Sequence, residues 1–148
     1  MSSVKSKKKS SHKSTKRVSV RIVEAIIKDS KGGVLVLKRS PVNTIYVGKW
    51  QLPGGKAEGR ESALHAIKRE IKEETGCRSS KVQVVKKLVF SEWFRKKYTR
   101  VELVIFSCKI SGKICLSEDH VDYKFVKANG LLKRVLAPIS QKALFATN

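Results

Sequence analysis

The sequence predicts a mixed α/β or α+β domain, and three observations carry that prediction. Apolar, β-branched segments precede and follow one strongly patterned helix, so the order of elements is strands, helix, strands, helix. No internal repeat is evident along the chain. Its 148 residues are one domain's worth, and a hydrophobic fraction of 41% is enough to build a core.

Taken in order, residues 1–17 (MSSVKSKKKSSHKSTKR) hold one aliphatic residue beyond Met1. They cannot bury enough surface to offset the entropy of ordering, which predicts a disordered basic tail ahead of a domain over 18–148. Val18 to Ile27 reads as a strand, residues 29–33 as a turn, and Val34 to Lys38 as a short buried strand. Residues 39–53 read as a loop containing Pro41, Tyr46, Gly48, Trp50 and Pro53. A helix follows Gly54-Gly55, with Ser62 as N-cap, Ala63, Leu64, Ile67 and Ile71 as its apolar stripe, and Gly76 ending it. Val82 to Phe90 and Arg100 to Ile110 are the next strands, joined through SEWFRKKYT. Val121, Tyr123 and Phe125 alternate as a further strand, and the chain from about Asn129 is helical, interrupted by Pro138.

Charge narrows the partners. The net charge is +21, and without the tail 26 basic residues still face 12 acidic ones. The excess therefore belongs to the folded body and favours polyanions: nucleotides, RNA, DNA or acidic membrane surfaces. The tail suits an electrostatic tether to nucleic acid, a targeting signal or a merely solubilising role. No apolar run approaches the ~18 residues needed to cross a bilayer, and the basic N-terminus lacks the apolar core of a secretory signal. Cys77, Cys108 and Cys115 form an odd set without metal-ligand spacing. Reduced thiols in a cytoplasmic protein without a membrane partner are the expectation.

The chemistry is written in residues 54–77, GGKAEGRESALHAIKREIKEETGC. Glu70, Glu73 and Glu74 are spaced i, i+3 and i+4, which puts three carboxylates on one helix face. They oppose the helix dipole and repel one another, at about 0.2–1 kcal/mol for each effect. A divalent cation turns that cost into a site. Mg²⁺ prefers hard oxygen ligands, keeps several waters and is commonly shared with substrate phosphates, which an open acidic patch allows. Arg69 can pair with Glu73 one turn on, and Gly54-Gly55 lets backbone approach metal or phosphate closely.

Gly55, five residues, Glu61, seven residues, then Arg69-Glu70-Ile71-Lys72-Glu73-Glu74-Thr75-Gly76-Cys77 resembles the complete signature of the Nudix hydrolase family, over 23 of 148 residues. The one soft departure is Cys77, where the family usually carries an aliphatic residue. The resemblance implies an α/β/α sandwich with a mixed central sheet. It also implies a Mg²⁺- or Mn²⁺-dependent hydrolase of a nucleoside diphosphate linked to another group. By residue matching, Glu70, Glu73 and Glu74 are metal ligands and the Gly55 carbonyl joins them. Arg69 orients a glutamate, while Gly54, Glu61 and Gly76 shape the loop–helix unit. Glu73, Glu74, Arg69 and Asp119 are assigned to catalysis, and Arg39, Trp50 and Lys56 to substrate binding.

The acid outside the signature is one of Glu118, Asp119 or Glu92. Trp50, Tyr46, Trp93 and Phe94 are aromatics that could stack a base, although aromatics more often fill cores. His120 is either a donor to phosphate or carboxylate, or a hydrogen-bonded strand-edge residue. Arg95, Lys96, Lys97 and Arg100 form a basic cluster at the hairpin. The approach WQLPGGK looks like that of MutT-type enzymes, so the expected reaction takes a nucleoside triphosphate to its monophosphate and pyrophosphate. The alternatives are a dinucleoside polyphosphate or RNA 5′-end pyrophosphohydrolase, and a nucleic-acid-binding Nudix module with little catalysis.

Overall fold

A computed structural model describes residues 18–94 and 96–146. The expected tail, 1–17, lies outside the described residues, as do Arg95 and the last two residues of the expected domain. Strand β1 (Val18–Ile27) is the spine of the molecule. It pairs in parallel with β6 (Lys97–Ser111) and antiparallel with β4 (Gly54–Lys56), and β5 (Arg78–Phe94) closes the far side of β6. The resulting mixed sheet runs β4-β1-β6-β5. A second, antiparallel sheet runs β3-β2-β7, from Trp50–Gln51, Val34–Arg39 and His120–Val126.

Alternation along these strands makes two cores. Val23, Ala25 and Ile27 of β1, Leu35 and Leu37 of β2, and Val104 and Phe106 of β6 pack with Ala66, Ile67 and Ile71 of helix α1 (Ala63–Thr75). Val34, Val36, Val101, Leu103 and Ile105 face the other way, onto Leu132 of α2 (Gly130–Val135), Leu136 just after it and Ala143 of α3 (Pro138–Phe145). Helices thus cover both faces, an α/β/α sandwich with strand β2 buried on both sides.

Helix α1 begins where the Ser62 side chain accepts from the His65 amide at 3.1 Å. It ends at Gly76, whose φ of 73° is the left-handed cap that glycine adopts without a Cβ clash. Leu64 departs from its expected place in the stripe and is 45% exposed. It lies in the first turn, at a surface groove between the helix and Val82 and Val84 of β5. Two short strands, β3 and β4, occupy the end of the expected loop and the glycine pair after it. They are two and three residues long, too short to show alternation. The hairpin β5–β6 is longer than its apolar runs suggested, because cross-strand pairing continues to Phe94 and Lys97. Pro138 starts α3 at its first turn, where its missing amide is harmless. Cys77 is buried with its thiol 3.5 Å from the Gly112 carbonyl, and all three cysteines are free thiols. No helix among the described residues is long and apolar enough to cross a membrane.

Candidate functional site

The C-terminal half of α1 is organised by Arg69. Its guanidinium forks onto Glu61, Nε to Oε2 at 2.7 Å and Nη2 to Oε1 at 2.9 Å. It also reaches Glu70 at 3.1 Å, Glu73 at 3.2 Å and the Lys56 carbonyl at 3.2 Å. One planar cation thereby ties the helix to the loop that precedes it. The hydrogen bonds and charge of Arg69, foremost, hold the Glu61 carboxyl well below the usual carboxylate range.

The three helix glutamates differ in depth. Glu73 points outward, its side chain 58% exposed, against Arg69. Glu70 is largely buried, and burial pushes its carboxyl up against the opposing pull of Arg69. Glu74 is buried and accepts a hydrogen bond from the Gly54 amide at 2.9 Å. Burial, and then the charge of Glu70, push its carboxyl well above the usual range.

The glycines are where a side chain has no room. Gly54 has φ 154°, and a Cβ there would overlap the Val23 carbonyl oxygen. A Cβ on Gly55 would stand 2.5 Å from Oε2 of Glu70. Backbone and carboxylates are therefore in direct apposition along β4.

Opposite the helix, Glu24 enters from β1. It is buried in the otherwise apolar stretch Ile22 to Ile27, and both its oxygens lie 3.0 Å from the Ser140 hydroxyl. That hydroxyl in turn accepts from the Leu52 amide at 3.0 Å. Burial pushes the Glu24 carboxyl up to about 8. Glu24, Glu70, Glu74 and Asp119 line one cavity of about 550 Å³ together with Arg39 and Lys56. Arg39 is held by the Ile45 carbonyl, Gln51 and Asn43, so its guanidinium is fixed at the wall. The Asp119 carbonyl accepts from the Ser40 amide and from Asn43, which fixes the loop before β7. His120 also lines this cavity, and neither ring nitrogen has a hydrogen-bond partner among the described residues. The expected hydrogen-bonded strand-edge histidine is thus not observed. Burial lowers its pKa to about 4, so the ring is neutral at pH 7.

The structure does not bring every expected residue here. Trp50 is absent from the cavity wall; its ring lies over a separate surface groove, with the Lys124 ammonium 4.5 Å from its centroid. Glu92 and Glu118 do not line the cavity either, whereas Asp119 does. Trp93 is 70% exposed and stands outside both cores. Glu24 and Ser140 were not anticipated. The only trace of Glu24 in the sequence is a lone acid in the apolar run IVEAII, and Ser140 carries no mark at all.

The donor set is oxygen throughout, and neither Glu24 nor Glu74 has an ion-pair partner among the described residues. Buried, unpaired carboxylates of this kind fit a hard divalent cation. As they stand, no group of three such side chains among the described residues is arranged to hold a metal ion. Glu73 is engaged by Arg69, and Glu74 by Gly54.

Comparison with known proteins places this geometry. The sequence model of the NUDIX domain matches residues 18–146. The chain is 30% identical over 122 residues to nucleoside triphosphatase NudI of Escherichia fergusonii, covering 76% of this chain and 86% of that protein. The crystal structure of a MutT protein from Methanosarcina mazei superposes with a TM-score of 0.70 at 26% identity, over 87% of this chain and 92% of that one. The solution structure of the E. coli ORF135 protein shares the fold, with a TM-score of 0.68 at 22% identity over 88% and 89% of the two chains.

Proposed function

This chain belongs to the Nudix hydrolase family and is a pyrophosphohydrolase of nucleoside-diphosphate-linked compounds; on that premise we propose that it cleaves a nucleoside triphosphate to the monophosphate and pyrophosphate. The observation that carries the proposal is the group of desolvated carboxylates Glu24, Glu70 and Glu74 at a cavity that also holds Arg39 and Lys56. The carboxylates there suit a cation, and the two bases suit phosphate oxygens. The triphosphate is supported by the relative named a nucleoside triphosphatase, to which most of the chain aligns.

Glu70, Glu73 and Glu74 would hold Mg²⁺ or Mn²⁺, with the Gly55 carbonyl beside them. A bound divalent cation supplies charge neutralisation on the phosphates and a water of lowered pKa. Around it, Arg69 fixes Glu70 and Glu73 relative to the loop through its fork on Glu61. Arg39 and Lys56 take the polyphosphate oxygens, Arg39 from a preset position that loses little entropy on binding. Asp119 and Glu24 are the acids outside the helix that line the cavity, and Asp119 accepts the proton of the attacking water. Glu24 is a poorer base, because burial keeps it protonated at pH 7.

The test is a nucleotide panel with Mg²⁺ or Mn²⁺, products identified by mass, on wild type and Glu73→Gln. Because Glu73 is exposed, the variant should keep its melting temperature while hydrolysis is abolished. Unchanged turnover in Glu73→Gln would falsify the metal assignment.

A further inference from the structure

We infer that His120 reads the nucleoside part of the substrate, as a specificity-determining residue that hydrogen-bonds a sugar hydroxyl or a base N–H and not a phosphate. His120 opens β7, lines the cavity and is only 5% exposed, yet both ring nitrogens are without a hydrogen-bond partner among the described residues. Buried polar groups are almost always satisfied, and one left bare costs stability. A ligand group entering the cavity can remove that cost.

The backbone beneath the ring is firmly held. The Ser40 hydroxyl donates to the Glu118 carbonyl at 2.6 Å, and the Asp119 carbonyl accepts from the Ser40 amide and from Asn43, both at 2.9 Å. The His120 amide donates to the Ser117 carbonyl at 3.3 Å, and Arg39 pairs with His120 across β2 and β7. The ring itself has no such tie. Both its nitrogens are covered, so a ligand meets one of them through a turn of the side chain that breaks no hydrogen bond among the described residues.

The charge of the ring selects the ligand. Burial foremost, and then Arg39, keep it neutral at pH 7 against the pull of Asp119. A neutral imidazole carries one N–H and one lone pair. Phosphate oxygens only accept, so a phosphate would serve the N–H and leave the lone pair buried without a donor. The donor hydrogens of a nucleotide are on its sugar hydroxyls and on its base. Phosphate already has Arg39 and Lys56 in this cavity. Val20, Ile22, Ile45, Ala137 and Ile139 line it too, an apolar wall that suits a base or sugar ring and offers phosphate nothing.

This inference rests on the nucleotide reading of the cavity, so its test uses nucleoside 5′-monophosphates, which hold no phosphoanhydride bond to cleave. Full-length wild type, His120→Phe, His120→Ala and His120→Gln are titrated calorimetrically in Mg²⁺ with the common ribonucleoside monophosphates and their 2′-deoxy and 3′-deoxy forms. Methylenediphosphonate, a phosphate chain without a nucleoside, is the control, and melting temperatures identify the folded variants. Phe and Ala should each raise the Kd of the best-bound monophosphate by about tenfold and narrow the spread across the panel. Methylenediphosphonate should bind every variant like wild type. Gln keeps a donor and an acceptor and should recover most of the affinity. Preference lost among bases at a fixed sugar identifies a base contact, and preference lost among sugars at a fixed base identifies a hydroxyl. Unchanged monophosphate affinity in a folded Phe or Ala variant, an equal loss for methylenediphosphonate, or a wild type that binds no monophosphate overturns the inference. Monophosphate binding that depends on His120, without triphosphate hydrolysis by wild type, sinks the proposed reaction and leaves this contact standing.

Discussion

Gly55→Ala separates the fold from the site. A Cβ at this position would stand 2.5 Å from Oε2 and 2.7 Å from Cδ of Glu70, about 1 Å inside ordinary contact distance. Those atoms are the end of a flexible side chain, so Glu70 swings aside and the backbone stays. The swing breaks the 3.1 Å bond from Arg69, while the fork on Glu61 survives. The stability loss is then about 1–2 kcal/mol, a few degrees in melting temperature for a domain of this size. On the proposed metal assignment of Glu70, activity falls much further, because displacing a metal ligand by about 1 Å costs about 10²-fold. Gly54→Ala is the control. Its Cβ would overlap the Val23 carbonyl oxygen and lie 2.8 Å from the Glu24 Cα, at φ 154°. Both neighbours are backbone, so strain and overpacking together cost about 3–5 kcal/mol. Thermal melts and kcat/KM at saturating Mg²⁺ read the two effects. If Gly55→Ala turns over like wild type, or melts as low as Gly54→Ala, the claim that this glycine makes room for a ligand fails.

Glu24→Gln reports on desolvation. With a folded pKa of about 8 against an ordinary 4.5, the protonated acid contributes its full stability below 4.5 and loses it as pH rises towards 8. Metal-free wild type should lose up to about 1.4 kcal/mol per pH unit from this group in that window. The Gln variant should show a visibly flatter melting profile. A parallel profile would mean that Glu24 is not the titrating group. Arg69→Lys works on the other side of neutrality: Lys cannot fork onto Glu61, whose depressed pKa contributes stability above its ordinary 4.5. The variant's melting deficit should be full at pH 7 and shrink as pH falls below that value; a deficit constant with pH would show that only packing was lost.

What the sequence made legible was local. Helix α1 could be bounded because its cap, its stripe and its terminating glycine lie within one stretch, each with its own physical cause. Strands β1 and β2 were legible through their apolar runs. Strands β3 and β4 have no period to detect; they form because Leu37, Lys38 and β1 present free edges to Trp50, Gln51 and the glycines. The site divides the same way. The Arg69–Glu73 spacing is a helical turn and is visible in one dimension. The Glu24–Ser140 contact joins residues 116 apart and depends on α3 docking against β1. Trp50 shows the converse limit: composition offers an aromatic beside the glycine loop, but which face of β3 it occupies is a matter of tertiary packing.

The charge distribution gives the site its logic. The chain has 12 acidic residues, and seven of them, Glu24, Glu58, Glu61, Glu70, Glu73, Glu74 and Asp119, are at the cavity or braced against Arg69. The remaining surface is therefore almost uncompensated base. A positive field ought to pull carboxylate pKa values down, yet burial drives those of Glu24, Glu70 and Glu74 up. Burial is the largest cause at each of these three carboxylates. On the proposed function, two ligands of opposite sign answer these two environments: a polyanion drawn to the rim, and a cation held inside. Each removes the obstacle to the other, since the cation cancels the carboxylates that repel phosphate and the phosphates supply oxygens that an open acidic patch lacks. Linkage then requires that the coupling be reciprocal. Nucleotide should tighten divalent-cation binding by the same factor by which the cation tightens nucleotide binding, and equal titrations of either ligand with and without the other would refute the coupling.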